Sequence, residues 1–441
     1  MMSSTALNTG ERTYAETVAR GFYGKNVGGL FGKNMGGLFG KHDNVRAYWE
    51  DELTRVALRS LVRERTEECQ AAGRGVRILD LGCGAGQGYE LLTRIDQSDI
   101  DLLQEEHRYV LPPERIELYL GLDLSESMIS QGRENYHGVS HVRFCQGDLR
   151  EGLGSALSES PFDIYFSSYG ALSHLEGPAL RRCLGEILRH AKPGGLVVLD
   201  LLGRYSPEWP GYWSARTEAE KVRPYSMSYL YPESERHNGD VERFSLRFWT
   251  GDEIRELCAE LGKEHGVPIR ALEVLDRSIF VGRHVDTGEY GTCLPPLRSL
   301  VNQLYEQNVR TKLERMRVTY RPVEGADELN RFFTKMARCW NALIDFTIER
   351  LRGTRVSLVE MNGWRAYPPP WQIARVTLDR VIDSVAWIDV GDVRANIIEP
   401  QLAYVLRRMQ QQLQEGRGCG HGLVAVLQVD APADRRPASG S

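Results

Sequence analysis

The sequence predicts a doubly wound α/β fold on a mostly parallel seven-stranded sheet, with an N-terminal lid before it and an extra helix-rich C-terminal domain after it. Three observations carry this expectation. From Val76 to about His284, short aliphatic runs alternate with helical stretches, the pattern of βαβ units. The first aliphatic run ends in an acid and a glycine-rich turn, where such sheets bind ligands. From about Thr287 the texture changes to longer stretches with apolar residues at helical spacing. The resulting divisions are 1–75 for the lid segment, 76–285 for the α/β domain, 286–430 for the helix-rich domain and 431–441 for a disordered tail.

Within the lid segment, Gly24-Lys-Asn-Val-Gly-Gly-Leu-Phe31 recurs as Gly32-Lys-Asn-Met-Gly-Gly-Leu-Phe39, followed by Gly40 and Lys41. A repeat of eight residues with paired glycines fits neither a heptad nor a solenoid. It reads either as a duplicated loop or as a mobile cover whose Lys25, Lys33 and Lys41 meet an anionic substrate. The strand candidates are Val76–Leu81, Ile116–Asp123, 142–145, 162–167, 196–201, 271–275 and 278–283. One helix starts near Pro178, a residue suited to a first helical turn. Another opens at Thr250, with Glu253 completing a capping box. Further on, 297–316, 328–351, 373–384 and Glu399–Leu413 read as helices, 360–371 as a proline-containing loop and Gly422–Val429 as a last strand.

The sharpest motif is Ile78-Leu-Asp-Leu-Gly-Cys-Gly-Ala-Gly-Gln-Gly88. Glycines belong where backbone approaches a ligand closely, since a Cβ would collide. A nicotinamide fingerprint GxGxxG fails, because counting from Gly82 or Gly84 puts Gln87 or Tyr89 where a third glycine is needed. The acid followed by GxGxG, on Asp80, Gly82, Gly84 and Gly86, resembles the first motif of the class I S-adenosylmethionine-dependent methyltransferase superfamily, whose sheet is Rossmann-like. The resemblance continues in order. Asp123, with Leu124 beside it, stands where the family grips the ribose hydroxyls, and Met128 where a side chain stacks on adenine. Asp148 and Leu149 stand where the adenine amino group and ring are met, and Ser167 ends the strand beside the methionine part. The run Leu188 to Val198 resembles the turn before the family's fifth strand. The interval from Gly86 to Asp123 exceeds the roughly 20 residues of a compact unit, which implies an excursion around 96–114.

The resemblance implies S-adenosyl-L-methionine as cofactor and transfer of its methyl group. The (D/N)PPY signature of exocyclic-amine methylation is absent after the fourth strand. His174 and Tyr169 in that stretch are the candidate catalytic residues, His174 as a general base toward a hydroxyl. The segment between Gly203 and Trp249 is rich in aromatics and reads as a cover over an apolar or aromatic acceptor, or as an ordinary packed cluster. Apolar residues make up 41% and charged residues 26%, and the net charge of −5 argues against a nucleic-acid partner. Eight dispersed cysteines without a CxxC pair favour a reducing compartment and no metal; Cys419-Gly-His421 supplies only two ligands of a site. No apolar run is long enough to span a membrane, and no signal-peptide h-region opens the chain, so a cytoplasmic location is expected. The leading expectation is methylation of a small organic acceptor in specialised metabolism. The alternatives are an RNA or protein methyltransferase that uses the C-terminal domain for recognition, and a non-catalytic cofactor-binding scaffold. The C-terminal helices resemble no family; they read as a core or as a homodimer contact.

Overall fold

The computed structural model describes residues 14–19, 21, 23–25, 42–97, 108–236, 241–354 and 364–431. Most of the glycine repeat with Lys33 and Lys41, the middle of the 96–114 excursion and nearly all of the tail lie outside the described residues.

Among the described residues, nine strands form one sheet that forks at its fifth member. β1 (Val76–Leu81), β2 (Ile116–Asp123), β3 (Val142–Gln146), β4 (Ile164–Phe166) and β5 (Leu196–Gly203) run parallel in the order β3-β2-β1-β4-β5. Their burial explains the unbroken aliphatic runs: β5 is buried at every position, as expected when helices cover both faces. Along one edge of β5, the end of the strand meets β7 (Arg243–Trp249), which pairs antiparallel with β6 (Val222–Ser226). Most of β5 pairs antiparallel with β9 (Gly422–Val429), and β9 pairs antiparallel with β8 (Ile269–Arg277).

The helices follow the sequence signals. α1 (Asp51–Ala71) packs Leu58, Val62 and Cys69 against the sheet. α2 (Gln87–Thr93) and α3 (Glu126–Asn135) follow β1 and β2. Ser125 caps α3 by accepting from the Met128 amide. α4 (Gly177–His190) has Pro178 in its first turn, and α5 (Gly251–His265) carries both bonds of the Thr250–Glu253 capping box. α6 (Arg298–Gln303), α7 (Asp327–Leu351), α8 (Pro369–Ser384) and α9 (Glu399–Leu413) form a second layer, whose core is centred on Trp340, Phe333, Leu402 and Leu406.

The chain's course corrects the division drawn at 286–430. That region is not a separate C-terminal appendage: its last strand, β9, lies between β5 and β8 inside the sheet, and α6 to α9 are an insertion between β8 and β9. The return path runs through Gly416, Gly418, Gly420 and Gly422. A Cβ on Gly416 would lie 2.2 Å from the Val274 carbonyl oxygen, so only glycine passes there. Asp276 anchors the same turn by accepting from the amides of Arg417, Gly418 and Cys419.

Three further expectations change. Residues 278–283 are not a strand: Ser278 adopts φ +59° and the chain leaves the sheet, because Ile279, Phe280 and Val281 are buried by the inserted helices instead. The helix expected over 297–316 spans only Arg298–Gln303; Leu313 and Met316 reach the same core from a short 3-10 turn, which mimics helical spacing. The loop expected over 360–371 already ends at Pro369, which opens α8. Among the described residues, no helix is long and apolar enough to cross a membrane.

Candidate active site

The carboxyl ends of the parallel strands meet a cavity of about 530 Å³. The strand order spreads its lining into two halves. β1, β2 and the loop after β3 supply Gly82, Gly84, Asp123 and Asp148; β5, β8 and the start of β9 supply Asp200, Leu202, Arg277, His421 and Gly422. The loop after β4, with Tyr169 and His174, lies between them.

In the first half, Gly82, Gly84 and Gly86 have φ of +70°, +53° and +87°. A Cβ on Gly82 would lie 2.8 Å from that of Ala171, and one on Gly86 would lie 2.5 Å from the Tyr136 ring. Asp123 accepts from the Gly84 amide at 2.8 Å through one carboxylate oxygen and from the Ser125 amide at 2.9 Å through the other. The carboxylate thereby fixes the glycine turn beside it. Met128 and Leu149 line the cavity as buried apolar surface, and Leu124 lines it as a half-exposed residue. Asp148 lines it too, but its carboxylate is held by the Arg150 guanidinium at 2.6 to 3.1 Å. Burial pushes the Asp148 pKa up, and the bonds and charge of Arg150 outweigh it, so the net shift is down.

Asp80, Gly86 and Ser167 do not line the cavity. Asp80 is fully buried; it accepts from the Tyr119 hydroxyl and stands 2.2 Å from where a Gly88 Cβ would be. Burial, with Asp123 adding and Tyr119 opposing, raises its pKa to about 7. Gly86 serves the turn, and Ser167 is buried at the end of β4.

His174 and Tyr169 both line the cavity. The His174 Nε2 lies 3.1 Å from the Tyr14 hydroxyl, and burial, with Arg150 adding, lowers its pKa to about 4. Tyr169 takes φ +57°, a costly conformation for a residue with a Cβ, and Asp200 holds it by accepting from its amide at 2.7 Å. Arg46, from a π-helical turn, lies 4.0 Å over its ring. The described N-terminal residues pack beside this region: Tyr14 stacks on Phe244 at 5.3 Å, Tyr23 packs on Met128, and Lys25 pairs with Glu90 at 2.7 Å. Of the 203–249 aromatics, Tyr225, Tyr229 and Phe244 reach the cavity, whereas Trp213 stacks on Phe333 in the helical core.

The sequence reading missed the arginines Arg46, Arg277 and Arg283, all buried and all lining the cavity. Two of them carried a signal: charges at both ends of the run 277–283, mostly apolar between them, ask for a partner or a ligand. From the sequence, His421 reads only as a partner to Cys419 in half of a metal site. Its Nδ1 lies 2.8 Å from Glu208, and among the described residues no group of three His, Cys, Asp or Glu side chains is placed to hold a metal.

Residues 72–221 match the model of a family described as a methyltransferase domain. Trans-aconitate 2-methyltransferase of Azoarcus sp. (strain BH72) is 28% identical over 189 residues, which are 41% of this chain and 61% of that protein. Fatty-acid O-methyltransferase of Mycolicibacterium smegmatis is 29% identical over 161 residues, 36% of this chain and 48% of that protein. The chain thus spans less than two thirds of the length of either curated relative. Among solved structures, an S-adenosylmethionine-dependent methyltransferase from Mesorhizobium loti is 20% identical with a TM-score of 0.28, covering 46% of this chain and 77% of that one. The glycine turn, the carboxylate that clamps it and the parallel strands β1 to β5 all fall within the stretch that matches a methyltransferase domain.

Proposed function

We propose that this protein transfers a methyl group from S-adenosyl-L-methionine to a small organic acceptor. The observation that carries this reading is a single cavity in which the cofactor cradle and a separate polar wall face the same space. Its volume of about 530 Å³ suits small molecules rather than a polymer. The residues fit the cofactor. Gly82 and Gly84 keep side chains out of the turn, Asp123 can accept from ribose hydroxyls, and Met128 and Leu149 offer apolar surface to adenine. Bound there, the sulfonium would supply an activated methyl group. The protein's part is then to position the acceptor opposite the departing sulfur, an effect worth about 7–11 kcal/mol in well-oriented systems.

The two curated relatives are named for methylation of trans-aconitate and of fatty acids, both small acceptors, which supports the same class for this chain. His174 and Tyr169 are proposed to shape the acceptor space and not to remove a proton: an imidazole lowered to about 4 is a weak base. The test is methyl transfer from labelled cofactor into pooled small metabolites, run beside RNA and protein substrates. Label confined to small products supports the reading. Label in RNA or protein, or cofactor binding without transfer to any pool, would refute it.

A further inference from the structure

We propose, resting on the methyl-transfer reading of this cavity, that the acceptor is a carboxylate gripped by Arg283 together with Arg46 and Arg277, and that it is methylated on oxygen.

Arg283 is the strongest of the three observations. It is buried, lines the cavity and gives one Nη to Glu50 at 2.7 Å. Its guanidinium also lies 5.0 Å from the Tyr229 ring centroid. Among the described residues, its Nε and other Nη have no protein hydrogen-bond partner. A guanidinium carries five donors in a fork that matches a carboxylate, and the Arg283 donors without a protein partner stay accessible in a residue that lines the cavity. Such a group asks for an oxyanion from the cavity side.

The charges around it are closely paired. Arg277 faces the cavity from the end of β8, with its Nη groups on Thr54 at 3.0 Å and Asp200 at 2.9 Å. Arg46 faces it from the N-terminal turn. Asp200 faces the same half from β5 and is already bonded to Arg277, and Asp51 lies 3.9 Å from Arg46. Glu50 and Asp43, which pair with Arg283 and Arg298, stand behind the wall and do not line the cavity. Burial pulls Glu50 up, but Arg283, Arg298 and Arg277 outweigh it and hold it well below its ordinary value, so it stays charged and anchors the arginines. These arginines are thus matched by Asp43, Glu50, Asp51 and Asp200, so the pull on a carboxylate comes from the donors that Arg283 leaves to the cavity and not from surplus charge.

Proton accounting points the same way. An alcohol, phenol or ammonium acceptor must lose a proton to a base, whereas a carboxylate is already the nucleophile. Tyr169 and Tyr225 are held above their ordinary pKa by burial and keep their protons at neutral pH. His421 faces the cavity from the start of β9, but Glu208 occupies its Nδ1, and the Tyr225 hydroxyl lies 3.4 Å from its Nε2. In the transfer, a carboxylate oxygen forms a bond to the methyl carbon as the carbon–sulfur bond breaks. The electron pair stays on sulfur, so sulfonium and carboxylate give a neutral thioether and a methyl ester, with no proton moved.

The test uses the full chain with methyl-labelled S-adenosylmethionine and four matched acceptor sets of graded size: carboxylic acids, their primary amides, their alcohols, and alkylphosphonic acids. The expected result is label in the acids alone, released by mild base as volatile methanol. The rate should stay level from about pH 6 to 9, because the acceptor is already ionised. Arg283→Gln should raise the acceptor KM by about 30-fold or more, as loss of a charge-assisted bond implies. Its affinity for S-adenosylhomocysteine should stay within about threefold of the parent, which shows that the variant folds; Arg283→Lys, which keeps the charge but not the fork, should fall between them. Base-stable label in alcohols, amides or phosphonic acids would overturn the carboxylate assignment and leave methyl transfer standing. So would a rate that climbs with pH and is lost in His421→Gln. Cofactor binding with no transfer to acids of any size would overturn it as well. Failure to bind S-adenosylhomocysteine at all would remove the underlying reading too.

Discussion

At the scale of single residues, two carboxylates of the cofactor half differ in what they hold: Asp123 faces the cavity and Asp80 braces the strand. Asp123 lines the cavity and ties the Gly84 and Ser125 amides together. Asp123→Ala is expected to weaken S-adenosylhomocysteine binding by about 100-fold in calorimetry, since it removes a charged acceptor and loosens the turn at once. Asp80 lies behind the turn, and its prediction concerns stability. Its folded carboxyl titrates near 7, against an ordinary 3.8. Between those values the folded state holds a proton that the unfolded state has released, so stability falls as pH rises through that window. Compared with Asp80→Asn in urea unfolding, the parent should lose about 2–4 kcal/mol between pH 4 and pH 7.5. A gap that does not change with pH would show that Asp80 is not so perturbed. His174 offers a third measurement: as the base its replacement by Gln would cost about 10²–10⁴-fold in rate, whereas a shaping role predicts a loss of less than about tenfold.

At the scale of elements, the sequence was most legible where one local rule decides the structure. Thr250 and Glu253 announce α5, and both bonds of the box form. Val76–Leu81, Ile116–Asp123, Glu399–Leu413 and Gly422–Val429 keep the limits read from periodicity. It failed where burial imitated a period: Ile279 to Val281 are apolar because helices bury them, and Ser278 with φ +59° has already turned the chain out of the sheet. The site shows the same contrast. Backbone-driven positions such as Gly82, Gly84 and Asp123 follow from a short motif, while Arg46 and Arg283 meet only because distant segments pack together through Glu50. Gly86→Ala tests the local side of this contrast. Its Cβ would strike Tyr136 and Phe144 at a φ of +87°, so a loss of about 2–4 kcal/mol is expected in denaturant unfolding, whether or not cofactor is present.

At the scale of the whole molecule, the decisive feature is that the last described strand lies inside the sheet. β9 pairs with β5 from Leu196 to Leu202 and with β8 from Ile269 to Arg277, and it is buried at nearly every position. The four inserted helices therefore cannot be a free-standing appendix; the chain must pass through them before the sheet is complete. Their core also extends to Trp49 and Leu53 near the N-terminus, and Arg298 of α6 pairs with Asp43 and Glu50. Folding of the cofactor half thus depends on residues hundreds of positions away. A chain ending at residue 285 keeps every recognised cofactor motif, yet exposes one edge each of β5 and β8 along with their unpaired backbone groups. It is expected to aggregate or to lack a cooperative unfolding transition and any calorimetric signal with S-adenosylhomocysteine. Adding residues 416–431 through a flexible linker should restore sheet pairing only in part, because Trp49 and Phe280 would still lack their helical partners. If the 285-residue chain instead unfolds cooperatively and binds the nucleoside, then β9 is dispensable and the sheet is complete without it.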